Sequence, residues 1–133
     1  MAEIIKVDFL SEINNDVLRE RAERARCGRS LEFIAKCNGI ECGLLSYEDW
    51  SSRAEGIIYE IFVLVPFRGD GVGAMLLSHA ESLARQLGCR FISLKPYALD
   101  AHTNQDQLTS WYLGKGYTQM SSNQEFIEKR LVD

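Results

Sequence analysis

The segment Arg68-Gly69-Asp70-Gly71-Val72-Gly73-Ala74 carries the clearest chemical signal in the chain. It lies between a β-branched and aromatic run, Gly56 to Val65, and an apolar helical repeat that starts at Val72. Glycines in such a connection let the backbone adopt positive φ and approach a ligand closely. The first N–H groups of a helix have no internal partner, and the helix dipole adds partial positive charge there. The residue types and their order therefore predict an anion cradle of pyrophosphate size, with Arg68 able to add a charge-assisted contact. The plainer alternative is a glycine-rich chain reversal.

Three known cradles are separable by spacing. The P-loop pattern GxxxxGK[ST] is absent, because Gly114-Lys115 lacks both the earlier glycine and a following Ser or Thr. A dinucleotide fingerprint could be written on Gly69, Gly71 and Ala74. That fold opens on its glycine loop and needs several further βα units, whereas this loop follows three or four strands. The remaining pattern is R/Q-x-x-G-x-G/A, read here as Arg68, Gly71 and Gly73. Metal chemistry has little to work with: four cysteines and two histidines show no zinc-ligand spacing. Cys27, Cys37, Cys42 and Cys89 read as reduced, mostly buried thiols. His79 lies on the apolar face of its helix and reads as a core histidine. Arg19, Arg21, Arg24 and Arg26, interleaved with Glu20 and Glu23, read as a solvated helix face.

The elements that position the cradle follow from periodicity. Glu3 to Leu10 reads as a strand, and Ser11 as the N-cap of a helix running to about Cys27 and stopped by Gly28. Leu31 to Cys37 and Ile40 to Tyr47 are strands joined by the hairpin turn Asn38-Gly39. Glu48 to Glu55 reads as a polar loop. After the Gly56 to Val65 strand, Val72, Met75, Leu76, His79, Ala80, Leu83, Ala84 and Leu87 repeat with helical spacing, and Gly88 ends the helix. Arg90 to Leu94 completes a right-handed βαβ unit with parallel strands. Leu99 to Gln107 is a loop, Leu108 to Leu113 a short helix, and Tyr117 to Met120 and Glu125 to Leu131 are strands. The order β-α-β-β-β-α-β-α-β-β predicts one α/β domain over residues 1–133 with a mixed sheet.

Composition agrees with that reading. The chain has 133 residues, 46% hydrophobic and 26% charged, which fits a globular domain and excludes a disordered or coiled-coil chain. A net charge of −4 argues against a general nucleic-acid binder, and no apolar run reaches the ~18 residues of a membrane span. The first residues lack the basic and apolar regions of a signal peptide, so a cytoplasmic location is expected.

The segment from Ile61 to Leu77, IFVLVPFRGDGVGAMLL, resembles the acetyl-CoA-binding core of the GNAT superfamily of N-acetyltransferases. The later segment Trp111 to Tyr117, WYLGKGY, resembles that family's short helix of form FYxxxGF. The resemblance extends along essentially the whole chain, with a shortened N-terminal helical region. It implies a mostly antiparallel sheet with a central parallel βαβ unit flanked by helices. It implies acetyl-CoA as co-substrate, no metal, and an amine acceptor on a small molecule or a peptide. Neither nucleic acid nor a membrane is an expected partner, and a homodimer is common in the family.

Site residues carry over position by position. Backbone groups of Ile61, Phe62 and Val63 would pair with the pantetheine arm as an added strand. Those of Gly69, Asp70, Gly71, Val72, Gly73 and Ala74 would hold the pyrophosphate beside Arg68. Tyr112 stands where the family places a general-acid tyrosine. Glu60 is the candidate base, or else a salt-bridged strand residue; its register departs from the common family position, which falls near Ile57. Gln105 stands where the family often has an asparagine, with Asn104 one step earlier as the candidate cofactor contact. The implied reaction is direct attack of a primary amine on the thioester. The alternative is a non-catalytic acyl-CoA-binding or regulatory module of the same fold.

Overall fold

The computed structural model describes residues 2–132. The Asn38-Gly39 turn forms with φ of 52° and 82°, the left-handed pair that a two-residue hairpin requires. It sets the register of β2 (Ser30–Cys37) against β3 (Ile40–Trp50). β1 (Ala2–Val7) adds outside β2, and β4 (Glu55–Val63) pairs antiparallel with β3. β5 (Phe91–Leu94) pairs parallel with β4, joined to it through α2 (Val72–Gln86). β7 (Ile127–Arg130) and β6 (Thr118–Gln119) finish the sheet, in the order β1-β2-β3-β4-β5-β7-β6. The β4–β5 pair is the parallel step in an otherwise antiparallel sheet, as the sequence and its resemblance predict.

Side-chain alternation along β2 to β4 gives the sheet two apolar faces. Phe33, Leu45, Tyr47 and Ile58 meet the buried stripe Leu76, Leu77, Ala80 and Ala84 of α2. On the other face Ile34, Leu44 and Phe62 meet Leu18 and Ala22 of α1 (Asp16–Ala25). Leu76 is fully buried, so truncating it to Ala would cost about 2–5 kcal/mol. His79 packs edge-on to Phe33 at 4.7 Å between ring centroids, and burial pushes its pKa down, in keeping with a packing role. All four cysteines are free thiols; Cys42 and Cys89 are buried, Cys37 is half-buried and Cys27 is exposed. Burial, with Cys37 beside it, pushes the Cys42 thiol up to about 12.

The structure moves several predicted boundaries. The first strand stops at Val7, and Ser11 falls in a short 3-10 turn, Leu10–Glu12. The N-cap of α1 is Asn15, whose side chain accepts from the Leu18 N–H. Glu41 on β3 accepts from the Asn14 and Asn15 N–H groups, so a strand residue remote in sequence anchors the chain just before this cap. β3 continues through Glu48 and Asp49 to Trp50, where a polar loop was expected, because β4 pairs with those residues as far as Trp50–Glu55. α3 (Gln105–Gly114) begins three residues earlier than predicted, capped by the Asn104 side chain on the Gln107 N–H.

Candidate active site

A cleft opens where β4 and β5 part. Their parallel pairing covers Glu55–Ile58 against Phe91–Leu94 and then stops, while β3 stays paired with β4 as far as Val63. Two sequence features separate the strands. The register of β4 against β3 skips Tyr59, a bulge that bends the strand and re-aims its side chains. On the other side Pro96 follows Leu94 and Lys95, and proline has no N–H to give a ladder. One edge of Tyr59 to Val63 therefore has no strand partner. The resulting cleft encloses about 420 Å³ and is lined by that edge, by Leu94 to Tyr97, by the glycine loop, and by Trp111 and Tyr112.

The glycine loop forms the end wall. Gly71 is the N-cap of α2 with φ 85°, a left-handed conformation that favours glycine. Its carbonyl accepts the first helical bond, from Met75. Among the described residues, none of the six backbone N–H groups from Gly69 to Ala74 donates to another protein group. Gly69, Gly71, Val72, Gly73 and Ala74 line the cleft; Asp70 is exposed and does not. These are six free donors at the positive end of a fifteen-residue helix, five of them on residues that line the cleft. The donor set fits a diphosphate, and the unpaired edge at Ile61 to Val63 fits an extended amide-bearing arm.

Arg68 lines the same cleft but has protein partners. Its Nε donates to the Val63 carbonyl at 2.8 Å, and its terminal nitrogens bind the Asp100 carboxylate, one of them at 2.6 Å. Thr103 accepts a further bond at 3.3 Å. The Arg68 guanidinium holds the Asp100 carboxyl down at about 2, well below its ordinary value. Arg68 thus ties the end of β4 to the loop between β5 and α3. Asn104, expected at the cofactor, is exposed and caps α3; its neighbour Thr103 lines the cleft instead.

Tyr112 is 5% exposed, edge-on to Trp111 and Tyr117. Among the described residues its hydroxyl makes no hydrogen bond, and it is not one of the sealed unpartnered side-chain oxygens, which are Glu32 Oε2 and Ser46 Oγ. The hydroxyl therefore keeps some solvent access, and Tyr112 lines the cleft. Burial pushes its pKa well above the ordinary phenol value, so it is a protonated donor. Tyr117 is different: its hydroxyl donates to Glu81 Oε2 at 2.8 Å, and Lys129 binds the same carboxylate. Sequence position alone makes Tyr117 a strand aromatic, whereas its phenol joins the partly buried Glu81–Lys129 ion pair.

Glu60 is 8% exposed and accepts from Arg21 of α1 at 2.8 Å through Oε2. Of its two readings, base or salt-bridged residue, the structure shows the second contact directly. Oε1 has no protein partner and is not sealed from solvent, and Glu60 lines the cleft. Arg21 also donates to the Leu99 carbonyl at 3.2 Å and stacks on Phe62 at 3.9 Å. Its long-range partners lie 39 and 78 residues away, a linkage that local sequence gives no means of reading. Among the described residues no cluster of three or more His, Cys, Asp or Glu side chains could hold a metal ion.

A profile of the acetyltransferase (GNAT) family matches residues 1–113, and the chain belongs to that family. Its fold is shared with solved N-acetyltransferases of low sequence identity. The ribosomal-protein-S18-alanine N-acetyltransferase of Escherichia coli superposes with TM-score 0.75 at 15% identity, covering 100% of this chain and 96% of that one. The IAA acetyltransferase of Bacillus cereus gives 0.76 at 18% identity, covering 98% and 100%. The PaiA N-acetyltransferase of Thermoplasma acidophilum, solved with coenzyme A, gives 0.70 at 13%, covering 98% and 99%. No curated protein sequence matches the chain.

Proposed function

We propose that the chain transfers the acetyl group of acetyl-CoA to a primary amine by direct attack. The observation that carries this is the row of unpartnered N–H groups from Gly69 to Ala74, five of them on residues that line one cleft together with Tyr112, whose hydroxyl has no protein partner. Family membership supplies the acyl donor, and the coenzyme A bound to a protein of the same fold is consistent with it. The cofactor's contribution when bound is an activated thioester carbonyl.

The chain's own residues then have defined tasks. The glycine-loop N–H groups hold the diphosphate, and the open edge of Ile61 to Val63 aligns the pantetheine arm beside β4. This fixes the acyl carbon against the acceptor, and positioning of this kind is worth up to roughly 7–11 kcal/mol in the best intramolecular cases. Tyr112, held protonated by burial, gives its proton to the departing sulfur. Glu60 Oε1 receives the amine end of the acceptor, and Arg21 fixes the carboxylate's orientation from behind.

The test is release of coenzyme A thiol over a panel of amines, with wild type beside Tyr112→Phe. Turnover in the wild type and its loss in the variant are expected. Acetyl-CoA binding without turnover on any amine would instead support a non-catalytic acyl-CoA-binding module.

A further inference from the structure

A second, smaller cavity of about 180 Å³ joins the main cleft from the α1 side. The two share Tyr59, Glu60, Tyr97 and Leu99, and only the smaller one reaches Arg21 and Arg24. Glu60 therefore stands at the junction, and Arg24 lies away from the cofactor space. The β4 bulge delivers Tyr59, and the loop after β5 delivers Tyr97; both rings are about 40% exposed.

The four arginines of this helix region are not equivalent. Arg19 pairs with Asp16 and Glu23, Arg26 with Glu32, and Arg21 with Glu60. Among the described residues the side chain of Arg24, an exposed residue, has no ion pair and no hydrogen bond. Glu20 sits four residues before it, the spacing of a helical ion pair, yet the two form none. Arg24 and Arg21 are three apart and share a helix face. Two guanidinium groups against the single Glu60 carboxylate leave this pocket with one uncompensated positive charge. A polyamine or a lysine side chain would meet repulsion there. An acceptor with its amine at Glu60 and an oxyanion at the free fork of Arg24 would satisfy both ends. The volume lies below the ~300–1,000 Å³ of ordinary drug-sized pockets, which favours a molecule of amino-acid size.

We infer that the acetyl acceptor is a small zwitterionic amine, with a carboxylate or comparable oxyanion bound by Arg24 and an apolar part between Tyr59 and Tyr97. This rests on the amine-acetylation reading above. The nitrogen forms the new amide bond as the thioester C–S bond breaks. The ammonium first gives one proton to solvent; the neutral nitrogen then attacks and passes its second proton to Glu60, the thiolate takes the Tyr112 proton, and the proton on Glu60 returns to Tyr112 through water, which resets both groups.

The test uses the whole chain with acetyl-CoA and matched acceptors: phenylalanine against phenethylamine, O-phosphoethanolamine against ethanolamine, with spermidine and a C-terminally amidated peptide. Coenzyme A release is followed for wild type and Arg24→Gln, and acetyl-CoA binding is followed separately by thermal shift. The expected result is at least a tenfold kcat/KM preference for the oxyanion-bearing member of one pair. Arg24→Gln should erase it mainly through KM, leaving the acetyl-CoA shift unchanged. The phenylalanine and O-phosphoethanolamine arms tell a carboxylate from a phosphate. The absence of such a preference in both pairs overturns the inference, as does a preference for spermidine or the amidated peptide over every oxyanion-bearing amine, or an oxyanion preference that survives in Arg24→Gln. If no panel member reacts, the inference is likewise overturned. An intact acetyl-CoA shift then shows that the cofactor reading stands, and a missing shift shows that both have failed.

Discussion

Arg68 and Asp100, 32 residues apart in sequence, meet at 2.6 Å and close the cleft wall between the glycine loop and the loop that follows β5. The same guanidinium holds the Val63 carbonyl, so one side chain joins β4, the cradle and the approach to α3. An arginine in this motif invites a phosphate assignment; in this chain its fork already has a carboxylate.

That pair makes stability depend on pH in a defined window. The Asp100 carboxyl sits at about 2 when folded, against about 3.9 in an unfolded chain. Its folded value is depressed, so its contribution is complete above pH ~5 and drains as the pH falls toward 2, on the order of 2 kcal/mol in all. Asp100→Asn should lower the urea midpoint at pH 7 and flatten the fall between pH 5 and 2.5. Equal midpoints for variant and wild type at pH 7 would show the pair to be idle.

Tyr112 and Tyr117 should separate chemistry from stability. Tyr112→Phe removes a hydroxyl with no protein partner, so the melting temperature should hardly move, while kcat and kcat/KM fall together by roughly 10²–10⁴. Tyr117→Phe strips a buried hydrogen bond from Glu81 and should cost about 1–3 kcal/mol in denaturant unfolding, with kcat near wild type. A kinetic loss shared equally by both would make Tyr112 a packing residue.

The two motif glycines should also differ. Gly71 has φ 85°, whereas Gly73 carries no positive φ, and a Cβ there would find only ordinary contacts, 3.8 Å to Val63 and 3.9 Å to Trp111. Gly71→Ala should therefore be strained by about 1–2 kcal/mol and bind acetyl-CoA more weakly. Gly73→Ala, at a helical position, should gain up to about 1 kcal/mol and keep binding within a few-fold. Calorimetric titration and thermal melts of both variants check this; similar losses in the two would remove the distinction.

What could be read from sequence and what could not follows range. The Asn38-Gly39 turn and the Val72 to Ala84 stripe are local patterns that formed as read; the β-branched run from Gly56 formed its strand too, but that strand ends at Val63 and Val65 enters a 3-10 turn with Pro66. Tyr112 and the glycine loop came to the same cleft because the βαβ unit and the short helix fix their places. The anchoring of the residues before α1 depends on Glu41, the extension of β3 on its pairing with β4, and the roles of Arg68 and Arg21 on acids far along the chain. Each needs a tertiary partner that periodicity does not encode. The free state of Arg24 is equally invisible, since it shows only after its neighbours' partners are known.

The central claim is that the glycine loop and the open edge of β4 bind acetyl-CoA. Isothermal titration of the wild type and of Gly71→Asp with acetyl-CoA tests it most directly, with far-UV circular dichroism verifying that the variant is folded. The account predicts saturable one-to-one binding by the wild type. It predicts loss of that binding in Gly71→Asp, where a carboxylate would stand beside the free N–H groups. No binding by the wild type, or undiminished binding by the folded variant, would contradict it.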